Sequence, residues 1–138
     1  MNVYLDTSVL LRHLLRQPQA IPSWGSWKAA YSSVLLKIES LRTLDRLRLQ
    51  EFINDEQRMI LSLQLNEVLK SLFLVPLQES ILERALAPFP TVISTLDAIH
   101  LSTAILLQKE KEPDLTILTH DTQLSTASRS LNFKVLGD

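Results

Sequence analysis

The chain has 138 residues, of which 46% are apolar and 21% charged, and its formal net charge is −1 at pH 7. This length suits one domain with a core of its own, while the absence of cysteine excludes disulfide frameworks, thiolate metal sites and cysteine nucleophiles. A near-neutral charge argues against broad electrostatic binding to nucleic acid, and the two glycines leave no glycine-rich phosphate loop for ATP or NAD.

The first predicted elements are a short strand and a helix. Residues 2–5 form a continuously apolar run that predicts a buried strand. Thr7 or Ser8 is expected to cap the helix that follows, because a hydroxyl at this position accepts a hydrogen bond from the first helical turn. That helix is expected to extend to about Leu15.

Prolines interrupt the next segment. Residues 18–26 contain two prolines and a glycine and therefore indicate a loop or a broken turn. Trp24 and Trp27 belong to this region, where they either pack under the loop or offer a stacking surface to a base or a partner protein. A helical stretch is predicted at about residues 28–31, followed by a second short strand at residues 33–36.

A helical hairpin is predicted at about residues 39–71. One helix runs from Glu39 to about Ile53, and a second runs from Asp55, its expected cap, to about Ser71. The two helices contain more leucine than one face of a sheet requires. We therefore expect part of their surface to be a subunit or partner interface, with simple core packing as the alternative.

The C-terminal half alternates three further strands with three helices. The strands are predicted at residues 73–77, 114–119 and 133–136, and the helices at residues 79–87, 97–108 and 122–130, with Ser94 or Thr95 capping the middle one. Short apolar strands that alternate with helices are typical of a parallel sheet covered on both faces. We predict one three-layer α/β/α domain over residues 1–138, with a mostly parallel central sheet of four to five strands.

Four acidic residues lie at the ends of these predicted elements. Asp6 and Asp121 follow the first and fourth strands, Glu39 lies a short step beyond the second, and Asp97 opens a helix. Ligands in open α/β sheets collect beyond the carboxyl ends of the strands, so a doubly wound sheet gathers all four in one crevice. Two unit charges about 5 Å apart repel by roughly 3 kcal/mol at an effective dielectric near 20. The cluster therefore calls for a cation, and oxygen donors suit Mg²⁺ or Mn²⁺ better than zinc.

Each aspartate also has a simpler interpretation. Asp6, Asp97 and Asp121 are each suited to be a helix cap or a first-turn acid, which is worth about 0.5–1 kcal/mol. Glu39 has no equally strong alternative, because it follows a run that resembles a strand. Helix caps do not require four acids on one edge of one sheet, so the joint pattern is the more specific signal.

Nearby basic residues have secondary roles. Arg42 lies one helical turn from Glu39, so we expect it to pair with that acid or an adjacent one or to bind a phosphate; a surface pair at this spacing is the alternative. His100 is interpreted as a hydrogen-bonded packing residue rather than a catalytic one. His120 is expected to point away from its two neighbours, because side chains alternate along a strand.

Four motifs resemble the PIN-domain family, and their size and order resemble most closely its bacterial VapC-type toxins. They are Tyr4-Leu5-Asp6-Thr7-Ser8, Glu39 with Arg42, Leu96-Asp97-Ala98-Ile99-His100-Leu101, and Leu118-Thr119-His120-Asp121-Thr122-Gln123-Leu124. The resemblance implies a Mg²⁺- or Mn²⁺-dependent endoribonuclease that is neutralised by a protein antitoxin and is commonly a homodimer. It also implies the site residues, which are Asp6, Glu39, Asp97 and Asp121 as catalytic metal ligands, with Thr7, Arg42 and Thr119 binding substrate or supporting the ligands.

The chemistry expected of these residues is hydrolysis of an RNA phosphodiester with one or two metal ions. Asp6 and Asp97 are expected to be the principal ligands. Glu39 and Asp121 are expected to complete the set or to orient the attacking water.

Other functions fit the sequence less well. A signalling receiver domain requires an acidic pair after the first strand and a lysine near Asp121, and neither is present. A phosphatase of the haloacid-dehalogenase type requires a second aspartate where Ser8 stands. A PIN nuclease of RNA processing and a catalytically idle PIN-like module that only binds RNA or protein remain as alternatives.

The expected location is the cytoplasm, without membrane association. No apolar run approaches the roughly 18 residues that span a bilayer. The sequence opens on strand-like residues instead of a basic segment followed by an apolar one, so no secretory signal is expected.

Overall fold

The computed structural model describes all residues 1–138, which form five strands and six helices. In chain order the elements are β1 (Asn2–Leu5), α1 (Thr7–Leu14), β2 (Ala29–Ser33), α2 (Leu35–Leu49), α3 (Asp55–Lys70), β3 (Phe73–Val75), α4 (Glu79–Leu86), α5 (Thr95–Glu110), β4 (Thr116–Leu118), α6 (Thr122–Ser130) and β5 (Lys134–Leu136).

The five strands form one sheet in the order β3-β2-β1-β4-β5, and every neighbouring pair is parallel. The central strand β1 pairs through Val3 with Ala30 of β2 on one side and with Thr116 of β4 on the other. The strand order reverses between β1 and β4, which is where an open α/β sheet forms its binding crevice. The predicted α/β fold with a mostly parallel sheet of four to five strands is thus confirmed.

Two apolar cores lie on opposite faces of the sheet because side chains alternate along β1. Tyr4 points to one face, where it belongs to a cluster with Leu101 of α5 and further residues of α6. Val3 and Leu5 point to the other face and belong to a cluster with residues of α1, α2 and α3, such as Leu36. Burial of one such leucine contributes roughly 1.5–3 kcal/mol, and β1 is fixed by both layers.

The structure corrects the segment around the second strand. The predicted helix at residues 28–31 and strand at residues 33–36 are both wrong, because β2 spans Ala29–Ser33 and α2 already begins at Leu35. The run is rich in alanine and serine, so its local preference for a strand is weak. Its backbone nevertheless pairs with β1 and β3, and this pairing makes it a strand. Glu39 consequently lies in the second turn of α2 and not just beyond a strand.

Helices α2 and α3 are consecutive and pack against each other, within a few residues of the predicted hairpin. The cap of α3 is Asn54 and not Asp55, since Asn54 and Gln57 exchange side-chain and backbone hydrogen bonds of 2.8 and 2.9 Å. Leu44 and Leu65 are fully buried. Other large apolar side chains of the hairpin are exposed, namely Ile38, Leu49, Phe52, Met59, Ile60 and Leu63.

None of the six helices is both long enough and apolar enough to cross a membrane.

Candidate active site

Asp6 follows β1 directly and is only 3% exposed. It caps α1 in place of the expected Thr7 or Ser8, because its Oδ1 accepts a hydrogen bond of 3.2 Å from the backbone N–H of Val9. Ser8 Oγ donates to the same oxygen at 2.6 Å, and Thr119 Oγ1 donates to Oδ2 at 2.6 Å. Burial raises the pKa of the Asp6 carboxyl, and these two hydroxyl donors oppose the increase.

Thr119 and Asp121 extend this arrangement from β4 to α6. Thr119 is buried, and its Oγ1 also accepts a hydrogen bond of 3.0 Å from the backbone N–H of Asp121. Asp121 caps α6, since its Oδ1 accepts from the N–H of Leu124 at 2.8 Å. Asp6 and Asp121 therefore cap helices and also line one pocket. The interpretation as helix caps and the interpretation as site residues are both compatible with the structure.

Glu39 reaches the site from α2, with a side chain that is 21% exposed. Its Oε1 accepts two hydrogen bonds, one of 3.0 Å from Thr7 Oγ1 and one of 2.6 Å from His100 Nε2. No side chain or backbone group of the protein donates to its Oε2. Because a carboxylate only accepts, Nε2 of His100 must carry the proton of that bond.

His100 lies in α5 and is fully buried. Its Nδ1 is 2.6 Å from the hydroxyl oxygen of Tyr4 on β1. Burial raises the pKa of the Tyr4 hydroxyl, so the phenol stays protonated. His100 is buried and hydrogen-bonded, as predicted. The sequence analysis did not predict that one of its hydrogen bonds is to Glu39.

Asp97 occupies the first turn of α5. The cap of this helix is Ser94, one of the two residues predicted for that position. The Ser94 hydroxyl accepts from the Asp97 N–H at 3.3 Å. Burial raises the pKa of the Asp97 carboxyl to about 6, and the negative charges of Asp121 and Asp6 contribute to the increase. Burial is the main cause of the raised pKa, and repulsion by the two neighbouring acids is the smaller one.

One pocket of about 160 Å³ brings the predicted acids together. It has no apolar lining residue, and its walls are Asp6, Thr7, Ser8, Glu39, Asp97, His100 and Asp121. The carboxylates come from the end of β1, from α2, from the start of α5 and from the cap of α6. Carboxylates from four separate elements thus meet in one polar cleft.

Arg42 does not belong to this pocket. Its side chain is 70% exposed, and Nη1 lies 3.2 Å from Oδ2 of Asp45, one turn further along α2. The expected pairing with Glu39 is therefore wrong, and Arg42 forms instead an exposed pair at the i,i+3 spacing, while a phosphate-binding role stays a prediction. The physical reason is that Glu39 turns inward to His100 while Arg42 stays on the solvent side of the helix, where an exposed pair is worth little.

The chemistry of the pocket fits a hard divalent cation. Its donors are carboxylate and hydroxyl oxygens, and a cation would stabilise the ionised form of Asp97, whose pKa is raised by burial and by the neighbouring acids. The residues that would hold an ion are Asp6, Glu39, Asp97 and Asp121. No three of the chain's acidic and histidine side chains stand ready as the ligands of one ion, so binding requires side-chain adjustment.

The sequence of this chain is similar to a known family and to a known protein. Residues 3–129 match the PIN domain family model. Ribonuclease VapC47 of Mycobacterium tuberculosis (strain CDC 1551 / Oshkosh) is 27% identical over 138 residues, an alignment that covers 95% of this chain and 93% of that protein.

Two solved structures share the fold. The crystal structure of FitAcB from Neisseria gonorrhoeae has a TM-score of 0.70 at 21% identity, with 97% of this chain and 96% of that chain covered. A toxin-antitoxin complex from Klebsiella pneumoniae has a TM-score of 0.62 at 17% identity, with 88% of both chains covered. At these identities the likeness concerns the fold alone. The match of the family model over most of the chain shows that this protein belongs to the PIN domain family.

Proposed function

We propose that the chain is a divalent-metal-dependent endoribonuclease and the toxin of a toxin–antitoxin pair, acting in the cytoplasm. One observation carries the proposal: four carboxylates from four separate elements line a single polar pocket in a member of the PIN domain family. The relative named a ribonuclease, VapC47, supports RNA as the substrate. The structural neighbour described as a toxin-antitoxin complex supports a protein partner.

The residues divide into those that hold the cation and those that hold the ligands in place. When bound, Mg²⁺ or Mn²⁺ supplies positive charge for the scissile phosphate and a more acidic water. Ser8 and Thr119 fix both oxygens of Asp6. Thr7 and His100 fix only Oε1 of Glu39, which leaves Oε2 for the cation or for the attacking water.

The catalytic assignment is tested by Asp6→Asn. This variant is expected to abolish RNA cleavage in Mn²⁺ while leaving the fold intact, because removal of the charge also relieves repulsion. The matched control is Asp114→Asn, an exposed aspartate before β4, at the opposite end of that strand from Asp121. If Asp6→Asn cuts RNA at the rate of the parent, the assignment is wrong.

The toxin part of the proposal requires a partner, and the hairpin of α2 and α3 is its proposed docking surface. Exposed Leu49, Phe52, Met59 and Leu63 make this surface unusually apolar for a free helix pair. Co-expression with the neighbouring reading frame, followed by hydrogen exchange, is expected to show protection over residues 41–72. Unchanged exchange there rejects this surface. A homodimer is also proposed, and sedimentation of the purified chain decides it.

A catalytically idle PIN-like module is the second candidate. The observation in its favour is that no three side chains are already arranged as ligands of one ion. Isothermal titration with Mn²⁺ separates the two candidates. An idle module without a metal site gives no heat of binding, whereas the nuclease binds the ion and loses that binding in Asp6→Asn.

A further inference from the structure

A second cavity, of about 860 Å³, lies beside the acidic pocket and shares no lining residue with it. It opens on the sheet face that carries α1, next to that helix, and it reaches the ends of β4 and β5. The loop at residues 19–27 forms its far wall. Its volume falls within the roughly 300–1,000 Å³ of small-ligand sites, and nothing in the proposed chemistry uses it.

Only a thin wall separates the two spaces. His120 lines the cavity and Ser8 lines the pocket, and the backbone N–H of His120 donates a 2.9 Å hydrogen bond to Ser8 Oγ. Asp121 faces the pocket, while both of its chain neighbours, His120 and Thr122, line the cavity. The nucleotides next to a phosphate that lies at the carboxylates are therefore within reach of the cavity.

Of the charged side chains that line this cavity, only a positive one has no ion-pair partner. Arg12 of α1 is partly buried in its wall and takes part in no ion pair of the structure. Asp138 is the one acidic lining residue, and its carboxylate is already engaged by Arg129 at 2.8 Å and by Ser125. A guanidinium without a partner is suited to a phosphate group, which accepts two parallel hydrogen bonds from it.

The cavity also offers an aromatic ring. Trp27 lines it, whereas Trp24 is stacked on His13 with ring centroids 3.9 Å apart and an interplanar angle of 5°. Both tryptophans pack against the apolar cluster on the α1 side of the sheet and against each other, with ring centroids 5.0 Å apart, but only Trp27 also lines the cavity. Bases of single-stranded RNA stack on such rings.

The imidazole of His120 in the cavity wall is held by the C-terminal segment. Its Nδ1 contacts the carbonyl oxygen of Gly137 and donates to it, whereas its Nε2 is buried and has no hydrogen-bond partner in the protein. Gly137 has φ of +101°, and a Cβ at this position would lie 2.7 Å from the carbonyl oxygen of Thr119. Glycine is required here, and the C-terminal segment closes over the ring as a result.

The geometry points to a binding site for the single-stranded RNA that flanks the scissile phosphate. Arg12 holds a phosphate of that RNA, and a base stacks against Trp27. This inference rests on the proposed ribonuclease function and adds to it the place where the substrate strand is held. It commits to RNA as the occupant because the cavity offers an unpaired cation and an aromatic ring next to the carboxylates.

The test measures RNA binding without cleavage, in EDTA, by fluorescence anisotropy of a labelled single-stranded RNA. Arg12→Gln is expected to raise the Kd by about tenfold, the loss of one charge-assisted contact. The matched control is Arg16→Gln, an exposed arginine just beyond α1 that lies outside the cavity, and it is expected to keep a Kd close to that of the parent. In a ¹⁵N spectrum, added RNA is expected to shift the indole N–H of Trp27 more than that of Trp24.

The outcomes separate this inference from the proposed function. Binding that depends on Arg12 supports the site even if the protein never cuts RNA. Equal Kd values for the parent and Arg12→Gln, with an unmoved Trp27 indole, overturn the site even if cleavage in Mn²⁺ stands. Loss of a co-purified protein in Arg12→Gln without any change in RNA affinity also overturns it, because the cavity then belongs to a protein partner.

Discussion

The imidazole Nε2 of His100 lies 2.6 Å from Oε1 of Glu39, although the two residues are 61 positions apart in the chain. Tyr4 supports the opposite ring nitrogen, so the bond joins β1, α5 and α2 through one buried side chain. A carboxylate held in this way keeps one oxygen fixed and presents the other to the pocket. His100 is thus a positioning residue for Glu39 in the proposed reaction.

The first prediction concerns that bond. His100→Leu is expected to lower the free energy of unfolding by about 1–3 kcal/mol, because a mostly buried carboxylate loses a donor. RNA turnover is expected to fall by about tenfold to a hundredfold, since Glu39 is no longer held in place. Chemical denaturation and turnover in Mn²⁺ measure the two effects.

The control for this variant is His100→Gln, whose amide nitrogen donates from a similar position. The leucine variant is also expected to bind Mn²⁺ more weakly, and His100→Gln is expected to restore that affinity and much of the turnover. If the leucine variant binds Mn²⁺ and turns over RNA like the parent, His100 does not position Glu39.

The second prediction concerns the hydroxyl of Thr119, which donates to Asp6 and accepts from the N–H of Asp121. Thr119→Val keeps the shape but leaves a buried carboxylate oxygen without its donor, so unfolding free energy is expected to fall by about 1–3 kcal/mol. Thr126→Val, which removes an exposed hydroxyl from α6, is expected to change it little. Equal stabilities of the two variants contradict the role of Thr119.

The third prediction concerns the dependence of stability on pH in the metal-free protein. The pKa of Asp97 is about 6 in the folded chain and near 3.8 when unfolded, so folding favours its protonated form. Its contribution to stability is present below about pH 4 and is lost as the pH rises through 6. Asp97→Asn is therefore expected to gain stability relative to the parent between pH 4 and pH 7.

Urea denaturation of both proteins at several pH values measures this difference, and Asp114→Asn is the control that leaves the pocket unchanged. If the stability difference between Asp97→Asn and the parent stays constant over this range, folding does not raise the pKa of Asp97.

The fourth prediction separates core from surface in the hairpin. Leu65 is fully buried and Leu63 is 61% exposed on the same helix. Leu65→Ala is expected to lower the free energy of unfolding by about 2–5 kcal/mol, whereas Leu63→Ala is expected to change it by less than about 0.5 kcal/mol. If the exposed leucine serves the proposed partner, Leu63→Ala weakens capture of that partner without unfolding the chain. Unchanged capture argues against this docking surface.

The convergence of the acids was predictable from the sequence because three of them sit at element ends. Asp6 and Asp121 come directly after short apolar strands, and Asp97 follows a serine that caps a helix, so the alternation of strands and helices places them at one edge. Glu39 reaches the same place by another route than expected, from the second turn of a helix. The prediction that Glu39 lies with the other acids was right, but the expectation that it follows a strand was wrong.

The partners of these acids were not predictable in the same way. His100 meets Tyr4 and Glu39 across 96 and 61 residues, and no local spacing encodes such a contact. Strand β2 was misplaced for a related reason, since its alanines and serines become a strand only through pairing on both sides. The caps of α1 and α3 lie one residue before the predicted ones, because adjacent polar residues in the sequence are all suitable caps.

The most direct test of the central claim is the rate of RNA cleavage by the purified, partner-free chain as Mn²⁺ is titrated into metal-free buffer. The proposed metal-dependent mechanism requires no cleavage in EDTA, a saturable rise in rate with Mn²⁺, and no rise for Asp6→Asn. Cleavage that persists in EDTA, or an Asp6→Asn variant that follows the same Mn²⁺ curve as the parent, would contradict it.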